Sequence, residues 1–198
     1  MKSLKFIFPA CILLLASCEK DPDDVFIPSG ETTQASGFEA EQNINELPAD
    51  TSYTNSHTFF NFISGEVVDP ADSASNKWHI ALSGTTILVN SGVSGPGQVG
   101  GQFLSGNFAE ITSFPSQGYK TDEADDLAFG RGSGTSWYNY NHQERTVSPI
   151  PGKNLILKLT ETTFVKMEIL SYYKGAPEKP NSSMQARLYT FRYQVFNQ

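Results

Sequence analysis

The alternation of apolar and polar positions is clearest in the last third of the chain. Leu155, Leu157 and Leu159 recur at every second residue, Glu161-Thr162 supplies a turn, and Val165, Met167 and Ile169 alternate against Lys166 and Glu168. A period of two puts successive side chains on opposite faces of an extended chain, so this stretch predicts an antiparallel hairpin with one face buried. Tyr189, Phe191, Tyr193 and Val195 repeat the period at the end of the sequence, and so aromatic a segment must pack into a sheet. Upstream, residues 58–68 read as a strand, a turn at Gly65 and a second short strand. Trp78, Ile80 and Leu82 share one face of a further strand, residues 85–89 resume β-type residues, and Phe38, Ile44 and Leu47 suit a leading strand or coil.

Between these segments lie a glycine-rich loop (90–101), an aromatic cluster (137–140) and a Pro/Gly/Ser-rich connection (174–183). Residues 119–129 are acidic, and Ala124, Leu127 and Ala128 recur at helical spacing, which predicts a short helix there. The 14 Phe and 8 Tyr, with 16 Gly and 11 Pro, suit strands joined by tight turns. The expected fold is all-β, two packed antiparallel sheets of short strands with at most one or two short helices. There is no internal repeat.

The amino end has a different character. Lys2 and Lys5 precede an apolar run from Phe6 to Leu15, broken only by Pro9, and Leu15-Ala16-Ser17 leads directly to Cys18. The run falls short of the roughly 20 residues that span a bilayer, so residues 1–17 read as a cleaved lipoprotein signal. The Cys18 thiol is the expected diacylglycerol attachment point, followed by the acidic stretch Glu19-Lys20-Asp21-Pro22-Asp23-Asp24. This arrangement resembles the surface-export signal of Bacteroidetes lipoproteins. It predicts a protein anchored to the outer membrane through Cys18 and exposed at the cell surface. Residues 18–37 then form the lipidated cysteine and a flexible acidic tether, and 38–198 a single domain.

Charge and cysteine content narrow the chemistry. Losing residues 1–17 removes two lysines and no acid, which moves the formal charge from −7 to −9. An acidic body is a poor partner for nucleic acid. Cys11 leaves with the signal and Cys18 carries lipid, so disulfides, thiolate metal sites and cysteine nucleophiles are excluded from the domain. Gly95-Pro96-Gly97-Gln98-Val99-Gly100 satisfies G-x-G-x-x-G, but no βαβ pattern surrounds it, so it reads as a loop whose glycines supply positive φ. Hydrolase, zincin and P-loop motifs are absent, and no catalysis is expected. His57, His79 and His142 are far apart in sequence. His79 should be a solvent-facing or hydrogen-bonded histidine, Met167 core, and Met184 passive. His142 follows Trp137, Tyr138 and Tyr140, aromatics suited to stacking on a porphyrin. It is the candidate haem-iron ligand, with a plain surface histidine as the alternative.

The succession 78–84, the 90–101 loop, Trp137-Tyr138-Asn139-Tyr140, residues 166–174 and Tyr189-Thr190-Phe191-Arg192-Tyr193 resembles the HmuY family. Phe59-Phe60-Asn61-Phe62 with Gly65 and Val67-Val68 is similar to its opening, so the likeness covers residues 55–198. The resemblance implies an all-β haemophore-like lipoprotein that binds haem or a related tetrapyrrole and hands it to a TonB-dependent outer-membrane receptor. It also implies a first iron ligand just after the Trp-x-Ile-Ala-x strand, where this chain has Ser83. The other reading is a non-haem module of the same fold that binds another small molecule or a receptor.

Overall fold

The computed structural model describes residues 37–49 and 57–198. Cys18, the expected export signal and the expected tether through residue 36 lie outside them. The described residues belong to one compact unit, Ala35–Gln198. They carry eleven strands: β1 (Gln42–Pro48), β2 (Thr58–Asn61), β3 (Glu66–Val68), β4 (Ile80–Ser83), β5 (Thr86–Val89), β6 (Gly100–Ser105), β7 (Tyr138–Asn141), β8 (Thr146–Pro149), β9 (Lys153–Lys158), β10 (Thr163–Tyr173) and β11 (Ala186–Asn197). Helical geometry among the described residues is confined to two three-residue 3₁₀ turns, Pro70–Asp72 and Phe108–Glu110.

All strand pairing is antiparallel. One five-stranded sheet runs β1-β11-β10-β9-β6, a four-stranded sheet runs β3-β2-β4-β5, and β7-β8 is a separate hairpin. The all-β expectation therefore holds, with the hairpin added to the two larger sheets. Those two sheets meet face to face. Phe60 and Phe62 from the shorter sheet reach Phe191 and Tyr193 of β11, with ring centroids 5.0–6.0 Å apart and mostly edge-on. Ile80, Leu82, Leu155, Leu157, Val165, Met167 and Ile169 complete the layer, each such side chain worth about 1.5–3 kcal/mol of burial.

The predicted β9–β10 hairpin forms, with Leu157 opposite Val165 and Leu155 opposite Met167. It is buried on both faces rather than one. The second face is roofed by Phe108, Ile111 and Phe114, with Phe38 and Phe196 alongside and Phe114 stacked on Phe164 at 5.4 Å. Lys166, expected on a solvated face, is consequently 2% exposed. Its ammonium donates to the carbonyls of Phe108 (2.8 Å) and Ile111 (2.9 Å) and sits 4.5 Å from the centres of the Phe38 and Phe108 rings. Among the described residues no acid pairs with it directly. Carbonyl oxygens and π faces do that work, and burial pulls its pKa below the usual lysine value.

Trp78 also departs from the expected pattern. Ile80 and Leu82 enter the inter-sheet core, whereas Trp78 precedes β4 and packs instead edge-on against Phe59 at 5.0 Å, its indole N–H donating to Ser73 O at 2.8 Å. The helix predicted within 119–129 is absent. Asp122, 1% exposed, accepts from the Val89 N–H through one carboxylate oxygen and from the Ala128 N–H through the other, both at 2.9 Å, while its own carbonyl accepts from the Val93 N–H at 3.0 Å. A side chain that satisfies backbone donors this way competes with helical pairing, and the segment wraps the sheet as an extended strap.

The glycine-rich loop is held by a second polar hub. The Asn90 side chain donates to Ser75 O (3.0 Å) and Trp78 O (2.8 Å) and accepts from the Gly97 N–H (2.9 Å). At Gly95 a Cβ would lie 2.2 Å from Asn90 Oδ1 and 2.6 Å from the Trp78 ring. Glycine is therefore required there for close approach rather than for positive φ.

Asp122→Ala leaves two buried backbone N–H groups without acceptors. Urea unfolding should show a loss of about 2–4 kcal/mol, against no more than about 0.5 kcal/mol for exposed Asp125→Ala. Equal midpoints for the two variants would refute the hub.

Candidate functional site

The aromatic cluster predicted at 137–140 divides between core and surface. Trp137 is 1% exposed, and its ring lies 5.1–5.8 Å from those of Tyr138, Tyr172 and Tyr189. This cluster grips the β4–β5 turn. The Trp137 indole donates to Thr85 O at 2.9 Å, Tyr189 OH donates to Gly84 O at 3.0 Å, and Thr85 Oγ1 donates to Tyr138 OH at 3.2 Å. Burial pushes the Tyr172 phenol up to about 12 and raises that of Tyr189 well above its usual value, so both stay neutral. The half-buried Ser83 lies at the end of β4, beside this turn.

Tyr140 and His142 face outward. Tyr140 lies on β7, His142 in the following turn, and their rings meet edge to face with centroids 4.8 Å apart. The structure thus brings the sequence-predicted residues onto one hairpin, with Trp137 and Tyr138 at its root in the core and Tyr140 and His142 toward its tip. Beside that root, a groove of about 320 Å³ of mixed character runs between β8 and β10, with Val147, Ile150, Leu170 and Tyr172 as apolar lining and Glu168 and Glu178 as acidic lining. Leu170 is 46% exposed. Met167 is fully buried, and Met184 is partly buried against the core. Among the described residues no group of three or more His, Cys, Asp or Glu side chains is placed to hold a metal ion.

A second cleft, of about 430 Å³, opens at the other end of β4. His79 lines it. Its Nδ1 accepts from the Phe62 N–H at 3.0 Å and its ring stacks on Phe62 at 6.1 Å. Because Nδ1 accepts, the ring is neutral with its proton on Nε2. Burial lowers its pKa from 6.5 to about 4. The hydrogen-bonded histidine is thus the outcome here. Sequence reasoning missed the rest of this cleft, because Asn76, Gln98, Thr160 and Thr163 come from separate turns with no shared motif.

A neutral histidine that resists protonation makes folding pH-dependent. The unfolded chain takes up a proton as pH falls below 6.5, whereas the folded chain does so only near 4. Stability should therefore fall through this window by up to about 3 kcal/mol and show no further loss from this group at lower pH. Urea midpoints of the wild type and His79→Gln should converge as pH is lowered; parallel profiles would contradict the assignment.

No protein-family model matches the sequence, and no curated protein matches it. Solved structures do. The apo HmuY analog (TFO) of Tannerella forsythia superposes with a TM-score of 0.54 at 13% identity, covering 81% of this chain and 97% of the other. Apo PinO from Porphyromonas gingivitis gives 0.53 at 13% identity, with 80% and 98% covered. A protein from Bacteroides vulgatus, titled HmuY-like heme binding protein, gives 0.50 at 18% identity, with 77% and 90% covered. The likeness spans nearly the whole of each of these proteins and the described part of this one: the chain has an HmuY-like fold.

Proposed function

We propose that this chain is a lipid-anchored, non-catalytic capture module of the outer membrane, tethered through Cys18. Its ligand is haem or a related tetrapyrrole, bound at the β7–β8 hairpin and passed to a TonB-dependent receptor. The observation that carries this reading is the outward-facing His142–Tyr140 pair on a hairpin whose root is clamped to the turn beside Ser83. One solved neighbour, titled a heme binding protein, supports the ligand class.

The residues fit one kind of haem site and not another. Ser83 is no usual axial ligand, and no second imidazole or thioether joins His142 on this hairpin, so a doubly ligated iron does not fit. A single contact does. His142 would offer imidazole nitrogen to the iron, Tyr140 a ring edge, and the Val147, Ile150, Leu170 and Tyr172 side chains of the β8–β10 groove an apolar contact. Haem itself would supply the redox-active iron and the apolar ring. The chain's part is to hold and release it. An exposed imidazole gives up its partner quickly, which suits transfer, since release rates govern most affinity differences.

The burial of Trp137 and the presence of Ser83 favour a second reading, a non-haem binding module of the same fold.

Hemin titrated into the purified chain decides between the two. Under the haem reading the Soret band shifts on binding, the shift is lost in His142→Ala, and it is retained in His57→Ala. A spectrum equal to that of free hemin, or a shift indifferent to His142, overturns it.

A further inference from the structure

The His79 cleft lies at the opposite end of β4 from Ser83, and the haem reading makes no use of it. Its lining is unusual for so acidic a protein. Among the described residues around it there is no Asp, Glu, Lys or Arg. The rim carries the Asn76 and Gln98 amides and the Thr160 and Thr163 hydroxyls, with Ile63 (58% exposed) and Leu159 as apolar contacts. An adjoining depression of about 480 Å³ shares Gln98, Leu159 and Thr160. The two charges it contains, Lys158 and Glu161, neutralise one another at 2.7 Å. Together they form a groove within the size range of small-ligand sites.

The backbone of these walls is already committed. Gly97 N–H donates to Asn90 Oδ1, Val99 N–H to Asn90 O, Phe62 N–H to His79 Nδ1, Ile63 N–H to Asn61 Oδ1, Thr160 N–H to Thr163 O, and Thr163 N–H to Thr160 Oγ1. An extended peptide added to a sheet needs a free strand edge, and these turns offer few free amides. Recognition is left to side chains: the Asn76 and Gln98 amides, which both donate and accept; the Thr160 hydroxyl, which accepts from the Thr162 and Thr163 N–H groups and keeps its proton to donate; the Thr163 hydroxyl, which donates to Asn197 Oδ1 and keeps its oxygen to accept; and the His79 Nε2–H, which has no partner among the described residues. A charged ligand meets no charged side chain in the His79 cleft, and in the adjoining depression only Lys158 and Glu161, already paired with each other. A large apolar ligand leaves the rim amides unpaired.

We infer that this cleft is a binding site for a neutral saccharide, whose hydroxyls match the amide and hydroxyl rim and whose C–H faces lie against Ile63 and Leu159. The site is independent of haem capture, and either can fail without the other. His79 acts as a fixed donor, and Asn90 positions the loop bearing Gln98 by bonding to Gly97 and to the Trp78 carbonyl.

Isothermal titration calorimetry on the full chain in a zwitterionic detergent, which carries no sugar headgroup, tests this. The probes are neutral trisaccharides of glucose, galactose, mannose and N-acetylglucosamine, a uronate-containing trisaccharide, and a capped trialanine peptide. At least one neutral trisaccharide should bind, with affinity reduced roughly three- to tenfold in Gln98→Ala and in His79→Phe and unchanged in His142→Ala. Gln98 is exposed at the rim, so its replacement leaves the fold intact and keeps the test decisive if His79→Phe misfolds. No binding by any neutral trisaccharide overturns the inference. So does equal or tighter binding of the uronate, binding of the peptide alone, or binding indifferent to Gln98.

Discussion

The interlock of Phe60 and Phe62 with Phe191 and Tyr193 fixes the distance and angle between the two larger sheets, and every surface feature inherits its position from it. Aromatic rings packed edge-on tolerate little sliding, because each fills the space its neighbour leaves. Both ends of β4 are therefore held in place. At one end the Trp137–Tyr189 cluster grips the turn beside Ser83; at the other, Asn90 ties the Gly95–Gly97 loop to Trp78. The two recognition surfaces proposed above, one beside each end of this short strand, would both rest on that rigidity.

Much of the fold was legible because it depends on local periodicity. The alternation in 155–159, 165–169 and 189–195 located three adjacent strands of the larger sheet, and the register pairs Leu157 with Val165 and Val165 with Val195. What covers a face is not local. Nothing near Lys166 announces that Phe108, Ile111 and Phe38 will close over it, so its place in an alternating strand predicts a solvated lysine. The helix expected within 119–129 fails to form for a related reason. Helical spacing of Ala124, Leu127 and Ala128 was real, but Asp122 found better use for its carboxylate in bonding the Val89 and Ala128 amides.

The candidate site was legible only in part. One motif, 137–140, gathered residues that the structure does place on one hairpin, yet the core took Trp137 and Tyr138 and left Tyr140 and His142 to the solvent. Aromatic residues carry the same signature whether they fill a core or await a ligand. The His79 cleft, by contrast, draws on turns spread from Ile63 to Thr163, and only the three-dimensional arrangement unites them. In an HmuY-like fold at 13–18% identity to its solved neighbours, such loop-built features are where chains of one architecture diverge.

The caged amine of Lys166 has a use for the experimenter. With its nitrogen enclosed by two carbonyls and two rings, it is shielded from acylating reagents while the roof over β10 is closed, whereas solvent-facing lysines such as Lys77 modify at once. Its labelling rate therefore clocks how often the 108–114 segment lifts from the sheet, a native-state gauge of local opening that requires no introduced probe.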